Sequence, residues 1–471
     1  MKPTKKEIIC YGAVVIWAIG CFAFLNFFYH YHFFYQEQNQ LFLLTKDYVS
    51  SYLSDGPGWL ARLTGDFLTQ FYYYLFLGPA ILTVSLLCIG DFTRRLLQNL
   101  GVPALAAFGI AIILMTVFFL FSLHHDYRLS NVISAAGILL FLWLATCLSP
   151  NKKGKTLLFM LLALIPAYWL FQYPAIGKSM KPDFYLERQF AVDNEYRFGN
   201  YDKVISLVEK DKEPTPEMKF FYNLVRAQRG ELPDYLMHFI PNDLGTFYHI
   251  GPETPRLTIN NMNELYWAIG DMTFTERAAL MTHVFAPDNR NVRMIRRLAE
   301  CNLVSGDSAA AEKYLQLLDN TFVYRKWAAN VREHAKDIYQ DKMRFVNRHD
   351  TITTVDNAHF IMMQLLDHAP DNYVALDYIL CSTLLLKDVE NFKRDYDRYC
   401  MATNNPRIKT LYQEALCIWL AAHKATEDEW RQYIKSEDVL RRFAEYNEHR
   451  GSAAYKGTYW YYFDTFNRKM R

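Results

Sequence analysis

Apolar residues are concentrated in long stretches within the first 175 residues, and no comparable stretch follows Pro174. A helix needs about 20 predominantly apolar residues to cross roughly 30 Å of hydrocarbon. Four stretches approach this length and a fifth is shorter, at residues 8–28, 71–90, 102–123, 132–148 and 156–171. The pattern predicts an all-α protein, with a polytopic transmembrane bundle of about five spans at 1–175 and a soluble domain at 180–471.

Positive charges beside the predicted spans indicate how they are oriented. Basic residues precede the first span, separate the second from the third, and separate the fourth from the fifth: Lys2, Lys5, Lys6, Arg94, Arg95, Lys152, Lys153 and Lys155. Cytoplasmic loops are enriched in Lys and Arg, and five spans put all three clusters on one side. We therefore expect a bacterial inner-membrane protein with a cytoplasmic N-terminus and a periplasmic C-terminal domain. Without the fifth span, that domain would be cytoplasmic.

The loop at 29–70, between the first two spans, is long and carries four acidic residues: Glu37, Asp47, Asp55 and Asp66. Residues 40–53 have the apolar spacing of a helix, and Asp55-Gly56-Pro57-Gly58 is typical of a turn. Together these features predict an amphipathic hairpin that lies at the membrane surface.

The acidic residues of this loop admit two interpretations. Polytopic glycosyltransferases that use lipid-linked sugars keep an acidic residue in the loop after their first span, as a base or metal ligand, and residues 29–80 are loosely similar to that class. Under this hypothesis Glu37 and Asp47 are catalytic. Under the alternative, which we favour because fold-level analogy is weak evidence for chemistry, Asp47 and Asp66 are solvated charges or helix caps.

Metal-ligating residues are sparse in the sequence. No two of the eight cysteines have the two-residue spacing of a zinc or redox pair. His124, His125 and Asp126 lie between the third and fourth spans, but no further ligand follows at a fixed spacing. We therefore predict no metal and no cofactor. Cys400 and Cys417 would form a disulfide only if adjacent helices align them, and free thiols are the favoured alternative.

Beyond residue 183 the apolar spacing is helical throughout. In the segment 292–321, Gly306-Asp307 separates two predicted helices. Leu298 lies on the apolar face of the first helix, and Leu315 lies on that of the second. This layout resembles a tetratricopeptide repeat. Comparable turns occur at further positions: Gly199, Gly230, Gly270 and Lys387-Asp388. We expect an α-solenoid whose concave surface binds a partner protein, the alternative being a stack that is only a spacer or a lid on the membrane region. The aromatic segment 455–467 either caps the last repeat or forms an exposed contact patch, and we favour the cap.

Charge and motifs exclude several functional classes. A net charge of +2 without a basic stripe argues against nucleic-acid binding. Spans almost free of ionisable residues argue against an ion pathway. The soluble domain has no phosphate-binding glycine loop and no nucleophile motif. We therefore expect a membrane scaffold with lipid and an envelope protein as partners. The alternative is the membrane enzyme that uses a lipid-linked sugar, with Glu37 and Asp47 as catalytic residues.

The loop stretches EQNQLF and GDFLTQF, together with the segment 292–321, carry a family resemblance. The layout of about five spans, an aromatic first loop and a repeat-like tail resembles a family of unknown function among inner-membrane proteins of Bacteroidota. The resemblance implies a topology and a compartment, and it implies no activity.

Overall fold

The computed structural model describes residues 5–56, 58–148, 180–239, 256–346, 357–403 and 407–466. Within these ranges the chain forms helices and no strand, which confirms the predicted all-α class. The chain divides into two compact units. Unit 1 contains Met1–Asn194, Ala286–Arg296 and Glu312–Glu333, and unit 2 contains Glu195–Phe285, Arg297–Ala311 and His334–Arg471.

The first part of the chain contains the long apolar helices, the short helices of the long loop and one helix after residue 180. In order these are α1 (Lys5–Phe27), α2 (Tyr31–Gln38), α3 (Lys46–Ser51), α4 (Trp59–Thr69), α5 (Leu77–Asn99), α6 (Ala104–Ser122), α7 (Leu129–Leu148) and α8 (Phe184–Arg197).

Three of the described helices are long and apolar enough to cross a membrane: Glu7–Phe27 in α1, Ala104–Ser122 in α6 and Leu129–Cys147 in α7. Helix α5 is not among them, and in its second half Arg94 and Arg95 each pair with Asp91. It begins later than the predicted second span, because Gln70–Tyr73 forms a 3-10 turn. The predicted fifth span lies outside the described residues, so the five-span topology stays a prediction.

The core of unit 1 lies where α5, α6 and α7 meet. Leu86, Phe118 and Val132 are buried there, one from each helix. By contrast, α1 turns Ile9 and Ile16 outward, each 73% exposed. Because exposed apolar side chains along a long apolar helix are stable in lipid, this surface fits a membrane environment.

The loop at 29–70 folds differently from the predicted hairpin. Helix α3 begins only at Lys46, so the first part of the predicted helix at 40–53 is wrong. The preceding segment is not helical, and its backbone pairs with later parts of unit 1. Leu44 N donates to Asn320 O at 2.7 Å, and Val292 N donates to Gln40 O at 3.3 Å. These long-range bonds replace the hydrogen bonds that a helix would have made.

The later helices follow in close succession. They are α9 (Tyr201–Lys210), α10 (Pro216–Gln228), α11 (Leu232–Tyr235), α12 (Arg256–Ile269), α13 (Met272–Val284), α14 (Val292–Ser305), α15 (Ser308–Asp319), α16 (Arg325–Ile338), α17 (Gln340–Phe345), α18 (Ala358–His368), α19 (Tyr373–Leu385), α20 (Val389–Tyr396), α21 (Thr410–Ala422), α22 (Glu427–Tyr433), α23 (Glu437–Glu448) and α24 (Tyr459–Thr465).

The predicted interruptions between helices are confirmed. Each lies between two helices and contains a residue with positive φ: Gly199 at 76°, Gly230 at 70°, Gly270 at 85°, Gly306 at 88° and Lys387 at 57°. Glycine tolerates this conformation because it has no Cβ, whereas Lys387 adopts it at a steric cost. The finer prediction, that the helix pairs stack as an α-solenoid, stays a prediction.

The aromatic C-terminal segment packs as the predicted covering helix. In α24, Tyr459, Trp460 and Tyr462 are buried. The Tyr459 hydroxyl donates to Leu384 O at 3.0 Å, and Trp460 Nε1 donates to Glu414 O at 2.8 Å. The aromatic rings of α24 therefore lie against α19 and α21, and their polar tips are satisfied by backbone carbonyls.

All eight cysteines lie in described residues, and all are free thiols. Cys400 and Cys417 are both buried, as small apolar residues often are. The favoured alternative of free thiols at these two positions is therefore confirmed.

Candidate functional site

Glu37, the first candidate catalytic residue, is buried within unit 1. It lies in the last turn of α2 and is 2% exposed. The buried Tyr324, 287 residues away in sequence, donates its hydroxyl proton to Glu37 Oε1 at 2.6 Å. A hydrogen bond of this length holds the carboxyl group in place. The Glu37 side chain is therefore buried and hydrogen-bonded to another side chain of unit 1.

A small cavity of about 10 Å³ adjoins Glu37. Gln40 Nε2 and Gln70 Oε1 belong to residues in its wall and have no hydrogen-bond partner within the described part of the chain. A volume of this size holds about one water molecule. The space beside Glu37 therefore suits a bridging water and is too small for a substrate.

Asp47, the second candidate, lies in a different environment. It is exposed in the first turn of α3. A carboxylate at this position interacts favourably with the positive end of the helix dipole. This placement fits the interpretation of Asp47 as a solvated charge.

Asp66 is neither a solvated charge nor a helix cap, contrary to that interpretation. It lies within α4, is buried, and accepts a hydrogen bond of 2.8 Å from the Tyr52 hydroxyl. Arg290 Nη1 lies 3.9 Å from Asp66 Oδ2 and donates to the Tyr52 hydroxyl at 3.2 Å. Burial raises the pKa of Asp66, although the bond from Tyr52 and nearby arginines oppose the shift.

A buried ion pair of unit 1 was missed by sequence reasoning. Arg293 makes two hydrogen bonds to the fully buried Asp193, at 2.8 and 2.9 Å, and a third to Gln38 Oε1 at 2.8 Å. The bidentate geometry matches the guanidinium fork to the carboxylate. No local pattern indicates the pair, because its members are 100 residues apart.

A second distant carboxylate caps α2. Glu187 of α8 accepts hydrogen bonds from Tyr31 N at 2.6 Å and His32 N at 3.1 Å. The first amides of a helix have no partner within it, so these bonds satisfy two of them. Burial raises the pKa of Glu187 to about 8, although the two amides oppose the shift. Glu187 therefore has a structural role, as do Glu37, Asp66 and Asp193.

Metal-ligating atoms converge at the turn between α6 and α7. Among the described residues, His124, His125 and Asp126 each offer one ligand atom, and these atoms lie within 4.8 Å of one another. Both histidines are half-buried and Asp126 is exposed. Burial lowers the pKa of His124, and the neighbouring His125 lowers it further. The turn thus places two imidazoles and one carboxylate close together.

Unit 2 carries a larger pocket near its C-terminal end. The pocket has a volume of about 340 Å³ and lies between α21, α23 and α24. Its wall is mostly apolar and aromatic, with one basic and one acidic residue: Ile418, Ala421, Ala422, Phe443, Tyr446, Arg450, Trp460, Phe463 and Asp464. The Tyr446 hydroxyl donates to Asp464 Oδ2 at 2.7 Å, and Arg450 Nε lies 3.8 Å from the same oxygen.

Sequence comparison assigns the chain to a family without assigning an activity. The model of a family of unknown function, DUF6057, matches residues 4–177 and 174–465. No curated protein matches the chain. No solved structure matches it either. Because the two matched segments extend over nearly the whole length, the chain belongs to the family of unknown function DUF6057.

Proposed function

We propose that this protein is an integral membrane adaptor whose C-terminal helical region binds a partner protein of the cell envelope. The observation that carries the proposal is the open, aromatic-lined pocket of about 340 Å³ in unit 2. Pockets of roughly 300–1,000 Å³ with apolar walls and a few polar groups are typical ligand sites.

The pocket suits an apolar side chain presented by a protein segment. Half-buried Phe463 supplies accessible ring surface, whereas Phe443 and Trp460 form a buried part of the wall. Rigid aromatic surfaces are frequent where interfaces bind tightly. Arg450 extends from the wall with a side chain 67% exposed. A carboxylate or carbonyl oxygen of the partner, beside the bound side chain, would accept a hydrogen bond from this guanidinium.

Membrane anchorage is supported by the three long apolar helices. The finer topology is part of the proposal: five spans, a cytoplasmic N-terminus and a periplasmic C-terminal region. The three clusters of basic residues favour it, because cytoplasmic loops are enriched in Lys and Arg. The proposal also includes stacking of the helix pairs of unit 2 as a tetratricopeptide-like solenoid.

The alternative function is a membrane enzyme that uses a lipid-linked sugar, with Glu37 and Asp47 as its acidic groups. The surroundings of Glu37 favour the adaptor. A general base must lie within hydrogen-bond reach of the proton that it removes from the substrate. Glu37 is bonded to Tyr324, and the neighbouring cavity has room for about one water molecule.

A pocket-filling substitution tests the adaptor function. Ala421 is exposed and lines the pocket, so Ala421→Trp fills the space without removing a core side chain. Ala309→Trp, at an exposed alanine in the first turn of α15, is the matched control. The chain is purified from its native membranes in mild detergent, and co-eluting proteins and lipids are identified by mass spectrometry.

We expect one stoichiometric envelope protein with the parent chain and with Ala309→Trp, and its loss with Ala421→Trp. Retention of the partner by Ala421→Trp would refute the pocket as its site. A lone protein that carries a polyprenyl-linked sugar, with function abolished by Glu37→Ala together with Asp47→Ala, would instead establish the enzyme.

A further inference from the structure

We propose that His124, His125 and Asp126 form a binding site for a divalent transition-metal ion, with Zn²⁺ as the best match. The site is in unit 1 and does not depend on the pocket of unit 2 or on the adaptor function. It also goes beyond the expectation from the sequence, in which no metal was predicted.

The distances between the donors are close to those in a metal complex. The three ligand atoms lie within 4.8 Å of one another, and His125 Nε2 is already 3.2 Å from Asp126 Oδ2. Zinc binds nitrogen and oxygen at about 2.0–2.2 Å, which places neighbouring donors of a tetrahedral complex roughly 3.4 Å apart. Side-chain rotations that bring the widest pair closer by up to about 1.4 Å would complete the three-ligand set.

The backbone of the turn is held in place by its neighbours. Gln36 of α2 donates from Nε2 to His125 O at 3.0 Å and to Tyr127 O at 3.2 Å, on either side of Asp126. The imidazole of His125 also lies edge-on to the Tyr35 ring, with centroids 5.6 Å apart. Supporting contacts of this kind orient metal ligands. Metal binding would therefore restrict mainly the three side chains, because the backbone is already fixed.

The electrostatic surroundings favour a cation. The turn directly follows α6, and the C-terminal end of a helix carries a partial negative charge. Asp126 adds a carboxylate within the donor set, and the Asp183 carboxylate interacts electrostatically with His124. These groups offset part of the charge of a divalent ion before any further ligand binds.

The donor set selects the class of ion. Two imidazoles and one carboxylate suit zinc, copper or nickel, whereas Mg²⁺ and Ca²⁺ prefer shells built from oxygen. Three protein ligands leave at least one coordination position of zinc open, as in catalytic rather than structural zinc sites. That position would accept water or a donor atom from another molecule.

The test is a Zn²⁺ titration of the full chain in detergent, produced without a polyhistidine tag and stripped with EDTA beforehand. We expect one Zn²⁺ per chain at high affinity, and no displacement by millimolar Mg²⁺. His124→Ala combined with His125→Ala should weaken binding by on the order of tenfold or more. His368→Ala combined with His449→Ala removes two exposed histidines outside the cluster and should change nothing.

Two further measurements keep the proposal testable if the double histidine variant does not fold. Asp126→Asn preserves the size of an exposed side chain and should weaken Zn²⁺ binding. X-ray absorption of the zinc-loaded parent should report two imidazoles in the ligand shell. Unchanged affinity in the variants of the cluster, equal loss in the control, or a shell without imidazole would overturn the proposal.

Discussion

Asp193 and Arg293 exemplify how charged side chains are accommodated at the scale of single residues. Asp193 is fully buried, and Arg293 is 5% exposed. Removal of two charges from water is costly, and their mutual attraction with good hydrogen bonds offsets that cost. The pair therefore contributes less to stability than its short distances suggest, but the loss of one partner leaves a buried charge without compensation.

Substitution of one partner should therefore be far more harmful than substitution of both. We expect Arg293→Met to lower the free energy of unfolding by about 3–5 kcal/mol, because Asp193 then lies buried without its counter-charge. Arg293→Met combined with Asp193→Leu should recover much of this loss. Denaturant titration in detergent, followed by circular dichroism, measures the difference.

The control for this prediction is an exposed ion pair. Arg431 and Glu427 are paired at 2.7 Å with side chains 74% and 80% exposed. Surface pairs contribute about 0–1 kcal/mol, so Arg431→Met should have little effect. Equal destabilisation by Arg293→Met and by the double substitution would contradict the account of an uncompensated charge.

The buried carboxyl group of Glu414 should make the stability of unit 2 depend on pH. Its carboxylate is buried and accepts a hydrogen bond of 2.7 Å from Tyr459 N at the start of α24. Burial raises the pKa of Glu414 from 4.5 to about 7, so folding favours the protonated form. Its contribution to stability is complete below pH 4.5 and is lost as the pH rises through about 7. The shift corresponds to about 3 kcal/mol.

Glu414→Gln removes this titration and keeps an acceptor oxygen for Tyr459. We expect the amides of α24 to lose hydrogen-exchange protection between pH 4.5 and 7 in the parent, and less so in the variant. Glu429→Gln is the control, since the pKa of that exposed carboxyl is lowered by its bonds to Thr426. An unchanged pH profile in Glu414→Gln would exclude Glu414 as the titrating group.

At the scale of elements, close helix packing sets the position of the loop. Gly65 lies on α4 where this helix meets α7. A Cβ atom at Gly65 would approach Ser130 Cα to 2.5 Å, which is shorter than any ordinary contact. Because the contact is with backbone, no side-chain rotation can relieve it. Glycine at this position therefore lets the two helices come together.

Gly65→Ala should force α4 away from α7. We expect a loss of about 1–3 kcal/mol in stability, the usual cost of overpacking. Gly137→Ala on α7 is the matched control, because no atom lies within 4 Å of its added Cβ. Thermal unfolding in detergent compares the two variants, and equal midpoints would contradict the proposed contact.

At the scale of the whole molecule, the number of spans decides on which side of the membrane the C-terminal region lies. The described helices include three that can cross a membrane. An odd total puts the two chain ends on opposite sides, and an even total puts them together. The basic clusters favour five spans. Five spans predict a cytoplasmic N-terminus and a periplasmic C-terminal region.

Reporter fusions measure this orientation directly. Alkaline phosphatase is active outside the cytoplasm, and green fluorescent protein serves as the cytoplasmic reporter. We expect phosphatase activity for fusions after Asp126 and after Arg471, and fluorescence for a fusion after Lys153. Fluorescence at both Lys153 and Arg471 would show that no span separates them.

Local sequence patterns predict much of the helical structure but few of the contacts between polar side chains. Glycine turns such as Gly270 and Gly306 are visible in sequence, because positive φ is a local property. The burial of Asp66 and the capping of α2 by Glu187 could not be predicted. Each depends on partners that the fold supplies from distant positions, such as Arg290 for Asp66 and Tyr31 for Glu187.

The sequence by itself determined the all-α class, the apolar helices and the helix interruptions. These features depend on hydrophobic period and on backbone preferences, both of which act over short stretches of chain. Only the tertiary structure decided that Glu37 is hydrogen-bonded to Tyr324, that Asp47 stays exposed, and that the aromatic C-terminal segment is buried against α19 and α21. The energies of charged and polar side chains depend on burial and on distances across the fold, which the order of residues along the chain does not contain.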